Sequence, residues 1–309
     1  MAEGSRLTVY YVKETQSGVT PASPKLNIFR ATKSTLDINV NTLESAELRD
    51  DAETADFRLG TRHVEGTVTG EVSYGTFDDL FAAALRSSWA TDKVKGGVER
   101  QSFTFITFNA DLPDDKYTIY RGCEINTISL QLSAEAITVA DFGIVGREME
   151  IAKALPTGAT INPRTTTSPM DAFSGTLTQD GKSVANVTEI SLELDNGIEP
   201  RFVVGSKFSI KPGAKRRNVN GSMNTYYESV ELKKKFLDEQ EVSLSFTLSD
   251  GKANTGSYVF SMPRIKFTEA PTPVDGEGDI MLNAGYKALL SAKDGYSIQI
   301  TRVPPVTGP

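Results

Sequence analysis

The chain has 309 residues, 39% of them apolar, and a formal charge of −7. That length allows about two ordinary domains, the composition is that of a globular chain, and the acidic balance argues against a protein that grips nucleic acid by its phosphates. A single cysteine, Cys123, excludes an intramolecular disulfide and any Cys-rich metal site, and within "YTIYRGCEI" it reads as a small buried hydrophobe.

From the N-terminus, "MAEGSRLTVYYVKE" has an early acidic residue and no apolar run of signal-peptide length. No segment approaches a membrane span, so synthesis and folding in a cytoplasm are expected. "STLDINVN" alternates Leu36, Ile38 and Val40 with polar residues, the period of a half-buried strand. The connection 41–63 follows, where Glu44, Glu47, Asp50, Asp51, Glu53 and Asp56 face Arg49, Arg58 and Arg62, a net charge of −3. In "VEGTVTGEVSYGTFDDLFAAAL" (64–85), Val64, Gly66, Val68, Gly70, Val72 and Tyr74 alternate with Glu65, Thr67, Thr69, Glu71 and Ser73, predicting a second strand. A helix is predicted next, capped by Thr76, with Phe77, Leu80, Phe81, Ala84 and Leu85 on one face. "SFTFITF" (102–108) and "YTIYRGCEINTISLQL" (117–132) read as further strands, and the Thr- and Pro-rich run 152–170 reads as a linker.

Beyond it the same order returns. "TQDGKS" (178–183) carries an Asp-Gly hairpin signal, and "ISLELDN" alternates Leu192 with Leu194, an offset of 156 from Leu36. "NGIEPRFVVGSKFSIKPGAKRRN" (196–218) then has Arg201, Lys207, Lys211, Lys215, Arg216 and Arg217 against Glu199, a net charge of +5. "VNGSMNTYYESVELKKKFL" follows, its Val219 offset by 155 from Val64, with a shorter helix capped by Ser229 and striped by Val230, Phe236 and Leu237. "VSLSFTL" (242–248) answers 102–108, and "YVFSMPRIKF" (258–267) answers the strand from Tyr117 at an offset of 141. A duplicated unit is therefore expected, residues 1–151 and 171–309 around the linker, each mainly β with one flanking helix in an α+β or sandwich-like arrangement. Equivalent connections of opposite charge suit neighbours that attract one another, and they equally suit ordinary solvated loops.

No catalytic constellation emerges. His63 is the only histidine and stands at a strand entrance, and no phosphate loop, nucleophile elbow or Cys-His pair is present. Asp78 and Asp79 resemble a glycosidase pair, yet their place in a first helical turn favours a role at the helix dipole. Trp89 with Tyr10, Tyr11, Tyr226 and Tyr227 could form a sugar platform, although aromatics in strands more often fill a core. The sequence predicts no enzyme and no cofactor or metal.

The run "LRDDAETADFRLGTRHVEGTVTGEVSYGTFDDLFAAALRSSW" (48–89), preceded by a strand and the loop "KETQSGVTPASP", resembles the major tail tube proteins of long, non-contractile-tailed bacteriophages. "GTLTQDGKSVANVTEISLELDNGIEP" (175–200) with "NVNGSMNTYYESVELKKKF" resembles the same tube domain again. The resemblance implies two tandem β-sandwich or barrel domains in one chain, made in the host cytoplasm and built into the virion tail. It implies that six tube domains close a ring around a continuous inner barrel, so that three chains would suffice. Stacked rings would then carry the tape measure protein and the genomic DNA, bounded by tail tip and tail terminator proteins. On this reading Glu65, Thr67, Thr69, Glu71, Asn220, Ser222 and Asn224 line the lumen. Glu47, Asp50, Asp51, Asp56, Lys207, Lys211, Lys215, Arg216 and Arg217 would lie in contacts between subunits or rings. The competing class is a non-catalytic β-rich binding module, such as an adhesin or carbohydrate-binding protein, with a concave cluster of exposed aromatics.

Overall fold

A computed structural model describes residues 3–134, 136–172, 177–183, 186–252, 255–274 and 276–305. Parts of the expected second unit, namely 173–176, 184–185, 253–254, Asp275 and the tail 306–309, lie outside the described residues.

In chain order, a 3-10 turn (Gly4–Arg6) leads into β1 (Leu7–Lys13), β2 (Lys25–Phe29), β3 (Ala31–Ser34), β4 (Asp37–Glu44) and β5 (Phe57–Glu71). Helix α1 (Asp78–Ala84) precedes β6 (Lys93–Lys95), β7 (Phe103–Asn109), β8 (Tyr117–Ser133), β9 (Val139–Gly146) and β10 (Glu148–Ala152). Next come β11 (Thr160–Ile161), β12 (Leu177–Gln179), β13 (Lys182–Ser183), β14 (Val187–Asp195), β15 (Glu199–Arg201), β16 (Ile210–Gly213) and β17 (Asn218–Tyr226). Helix α2 (Glu231–Leu237), β18 (Val242–Leu248), β19 (Ser257–Glu269), β20 (Met281–Ala288) and β21 (Gln299–Val303) complete the chain. The protein is thus mainly β, as the alternating periods predict.

Eight antiparallel strands form one continuous sheet in the order β4, β5, β9, β8, β14, β17, β20, β19. Among the described residues the sheet is open and closes no barrel. Its apolar face carries Val64, Val68, Leu130, Phe142, Leu192, Leu194, Val219, Met223 and Tyr286, all buried. Alternation alone produces that face, since each of these strands sends every second side chain inward. The strands β2, β1, β7, the start of β8 and β10 form a second layer, and β13, β12, β18, the start of β19 and β21 pair in the same order. Strands β8 and β19 are long because each begins in the outer layer and ends in the continuous sheet.

The core lies between the layers and under α1. Phe81 meets Phe142 at 5.7 Å and Phe260 at 5.9 Å, and Phe77 meets Phe142 at 5.5 Å, so one helix turn clamps strands from both halves. Such offset and edge-on pairs add to the burial of the rings themselves. The caps differ from the sequence reading. Thr76 is committed to Ser73 and Thr165 through its hydroxyl, and Phe77 occupies the position before the helix without a side-chain cap. In α2 the residues packed on the core are Leu232 and Phe236, while Val230 and Leu237 are exposed. Val230 sits outside the helix as its cap residue, so its side chain does not join the inward stripe.

Registers in the two halves run in parallel. Ile38 pairs with Val64 and Leu194 with Val219, at the offsets of 156 and 155 carried by the sequence. A register shift falls between Ile125 and Thr127 opposite Gly143, and another between Phe267 and Glu269 opposite Gly285. These positions place β8 against β19 at an offset of 142, one residue from the 141 read from the sequence. The irregularity at Phe103/Phe105 on β7 returns at Val242/Leu244 on β18, so the offset is 142 on both sides of it, and the value of 141 comes from matching Tyr117 with Tyr258 by residue type, whereas the ladders set Tyr117 against Val259.

Candidate functional site

The feature of the molecule that faces outward as a built surface is the other side of the continuous sheet. Here Thr69 donates to Asp141, Asn224 Nδ2 donates to Glu189 Oε2 at 3.0 Å, and Ser191 and Ser222 share a 2.8 Å hydroxyl contact. Asn39 Nδ2 reaches Glu65 Oε2 at 3.4 Å, and His63 Nε2 lies 3.2 Å from the same oxygen. These cross-strand contacts put Glu65, Thr67, Thr69 and Glu71 of β5 and Asn220, Ser222 and Asn224 of β17 on one face by alternation. Asp37, Asp141, Glu189, Glu193 and Glu269 stand there too, against Lys266 and Lys287, so the face is net acidic.

Both outer edges of this sheet are unpaired among the described residues. Strand β4 has β5 on one side only, and past Ile265 strand β19 has β20 on one side only. Within this sheet one internal seam joins the halves among the described residues, β14 on β8, from Glu189 opposite Ser133 to Asp195 opposite Thr127, and outside it β21 pairs with β6 from Gln299 opposite Lys95 to Thr301 opposite Lys93. The seam was not visible in the sequence as a contact, although "NTISLQL" does carry the polar and apolar alternation of such a strand.

The two charged connections occupy different places. The acidic one is the projecting β4–β5 hairpin, closed by Ser45 N–H donating to Asp56 O at 2.9 Å. Glu47, Asp50, Asp51 and Asp56 are exposed on it, with local pairs Arg49–Asp51 at 2.5 Å and Arg58–Asp56 at 3.3 Å. Leu43, Phe57 and Leu59 at its base are each more than half exposed. The basic connection instead docks on the first half of its own chain. Arg62 N–H donates to Lys207 O at 2.8 Å, Ser209 N–H donates to Arg62 O at 3.2 Å, and the Arg62 guanidinium lies 4.6 Å from the Phe208 ring centre. Lys215 pairs with Glu199, whereas Lys207, Lys211 and Arg216 extend into solvent.

Arg217 is drawn inside. Its Nη2 donates to Leu85 O at 2.6 Å and Gly97 O at 3.0 Å, tying the second half to the end of α1, and burial with the nearby Arg86 charge lowers its pKa to about 10. Arg86 answers from the first half, donating to Asn196 O at 2.6 Å. Sequence reasoning placed Arg217 among the free contact residues, and no local signal distinguishes it from Arg216 beside it.

The possible catalytic and sugar-binding groups do not converge. Asp78 accepts from Tyr258 Oη at 2.5 Å and from Arg302 Nη1 at 2.7 Å, a tie between the halves. Arg302 also lies 4.4 Å from the Trp89 ring centre, whose Nε1–H donates to Asp78 O at 2.9 Å. Tyr11 is buried in the main core and Tyr10 in a smaller one, so the five aromatics make no platform. Cys123 is buried, as its strand context predicts, and burial raises its thiol pKa well above the ordinary range. Among the described residues no group of three or more His, Cys, Asp or Glu side chains could hold a metal ion, and no helix is long and apolar enough to cross a membrane.

A search of curated proteins finds no match to the chain. A family model described as phage tail tube protein matches residues 4–288, nearly the whole length, and the chain therefore belongs to the phage tail tube protein family.

Proposed function

We propose that this structural tail protein builds the tube as stacked rings of three chains, each chain supplying two tandem tube domains, 1–151 and 171–309. The observation that carries the reading is the open eight-stranded sheet with one polar, net-acidic face and two unpaired edges. An open sheet with free edges invites pairing with further copies, and a ring removes the edges altogether. Its acidic face would become the lumen wall, where repulsion keeps phosphates from sticking while the genome passes. The matching registers of the two halves support the tandem reading, since equivalent domains let three chains imitate a sixfold ring.

On this reading the tube belongs to a long, non-contractile tail. It houses the tape measure protein before the DNA, and meets tail tip and terminator proteins at its ends. Electron microscopy of purified protein over a concentration series, with native mass measured on the smallest ring, tests the proposal. Hollow stacked rings of three chains are expected. Rings of six chains would overturn the tandem-domain reading, and filaments without a lumen would overturn the conduit.

A further inference from the structure

The internal seam is a template for a contact that one chain cannot make with itself. Strand β14 sits on β8 with Asp195 opposite Thr127, Leu194 opposite Ile128 and Leu192 opposite Leu130. In the shared registers, β14 corresponds to β4 at an offset of 156 and β8 to β19 at an offset of 142. Applying both offsets to the seam gives a pairing between the two free edges, which stand at opposite ends of the sheet and can meet only on different chains.

We infer that β4 of one chain adds, antiparallel, to the end of β19 and the segment after it on a second copy, with Asn39 opposite Glu269, Ile38 opposite Ala270 and Leu36 opposite Thr272. The inference rests on the ring reading above and specifies its closing contact. Hydrogen-bond direction supports the register independently. Thr35 N–H donates to Thr67 O at 2.8 Å, so along the same ladder the peptide groups of Asp37 and Asn39 face β5 and those of Ile38 face outward. On the other edge, Asn283 N–H donates to Pro271 O at 3.1 Å, so Pro271 turns its backbone toward β20 and Ala270 turns its own outward. Ile38 N–H donates to the adjacent Asp37 Oδ1 at 2.7 Å in the single chain, and once that local bond is given up Ile38 and Ala270 can exchange both hydrogen bonds.

Proline at a sheet edge ordinarily blocks pairing. Pro271 does not block this edge, because its missing N–H lies on the inner side. Burial points the same way. Leu194 at the internal seam is 3% exposed, while Ile38 at the equivalent place is only half-buried, as an edge awaiting a neighbour would be. Asn39 and Glu269 are both exposed on the acidic face, so exchanging them leaves the core intact.

In the inferred register Asn39 and Glu269 form a non-hydrogen-bonded pair, whose Cα separation of about 4.5 Å suits a disulfide. The test is the double variant Asn39→Cys/Glu269→Cys, assembled, oxidised and run on non-reducing gels. Its control is Asn39→Cys/Asn283→Cys, whose second site lies one strand further away and two residues along, about 12 Å from the first. Covalent three-chain species from the first and single chains from the control are expected, and mixing the two single variants should yield two-chain species. Tubes in which the first pair stays unlinked, or in which the control links as readily, would overturn the register while leaving the ring intact. An absence of rings by microscopy, for wild type and variants alike, would overturn the ring reading and the seam with it.

Discussion

Gly221 shows how tightly single residues are constrained where strands cross. A Cβ there would lie 2.1 Å from Ser191 O and 2.4 Å from Tyr286 Cζ, and the Tyr286 ring is 1% exposed with its hydroxyl donating to Ser191 O at 2.7 Å. Gly66, at the matching place in β5, has φ +149 and would meet Thr35 O at 2.4 Å. Neither backbone nor a buried ring can give way cheaply, so Gly221→Ala is expected to destabilise the protein by about 1–3 kcal/mol through overpacking. Chemical denaturation checks this, and a change within experimental error would mean that the ring has room to shift. The two glycines were legible as members of an alternating strand. Their role was not, because alternation records which face a residue takes and not what approaches it across the sheet.

At the scale of elements, the two connections with opposite charge behave differently. The basic one is held against the first half by the Arg62–Lys207 and Ser209–Arg62 backbone bonds and by half-buried Arg217. Arg62 on β5 is part of that dock, but the acidic tip of the β4–β5 hairpin, residues 45–56, projects beyond it with Leu43, Phe57 and Leu59 exposed at its base, and no backbone bond ties this tip to the second half among the described residues. If the ring reading holds, this hairpin meets a basic surface of another chain, and the charge triple Asp50→Lys/Asp51→Lys/Asp56→Lys reverses the attraction. Assembly of the variant is expected to require higher protein concentration at low salt and to recover as salt screens the repulsion. Light scattering across a salt series reads this directly. Identical assembly curves for variant and wild type would remove the hairpin from the contact. The opposite charges were plain in the sequence, while the docking of only one connection within the chain depended on where the folded halves came to lie.

For the whole molecule, the acidic face is the property most closely tied to the passage of DNA. Replacing Glu65, Glu189 and Glu193 with lysine changes exposed or half-buried side chains on that face and leaves the apolar side of the same strands untouched. Such tubes are expected to assemble and to retain DNA at low salt, releasing it as salt rises, whereas wild-type tubes retain none. Co-sedimentation of tubes with short duplex DNA gives the comparison. Retention that is equal in both would show that these residues do not face the lumen.

The alternating strands β4, β5, β7, β8, β14, β17, β18 and β19, their inward residues and the paired offsets were legible in the sequence itself, because alternation acts between neighbours in the chain, whereas β9 and β20, which complete the continuous sheet, were not read from it. The tertiary structure alone decided that eight strands from both halves form one sheet, that β8 and β14 share an edge, and that Arg217, Asp78 and Tyr258 bind the halves together. Those outcomes depend on backbone hydrogen bonds and buried charges meeting across long separations. A backbone N–H or C=O has the same chemistry at every position, so no residue type announces which distant edge it will join.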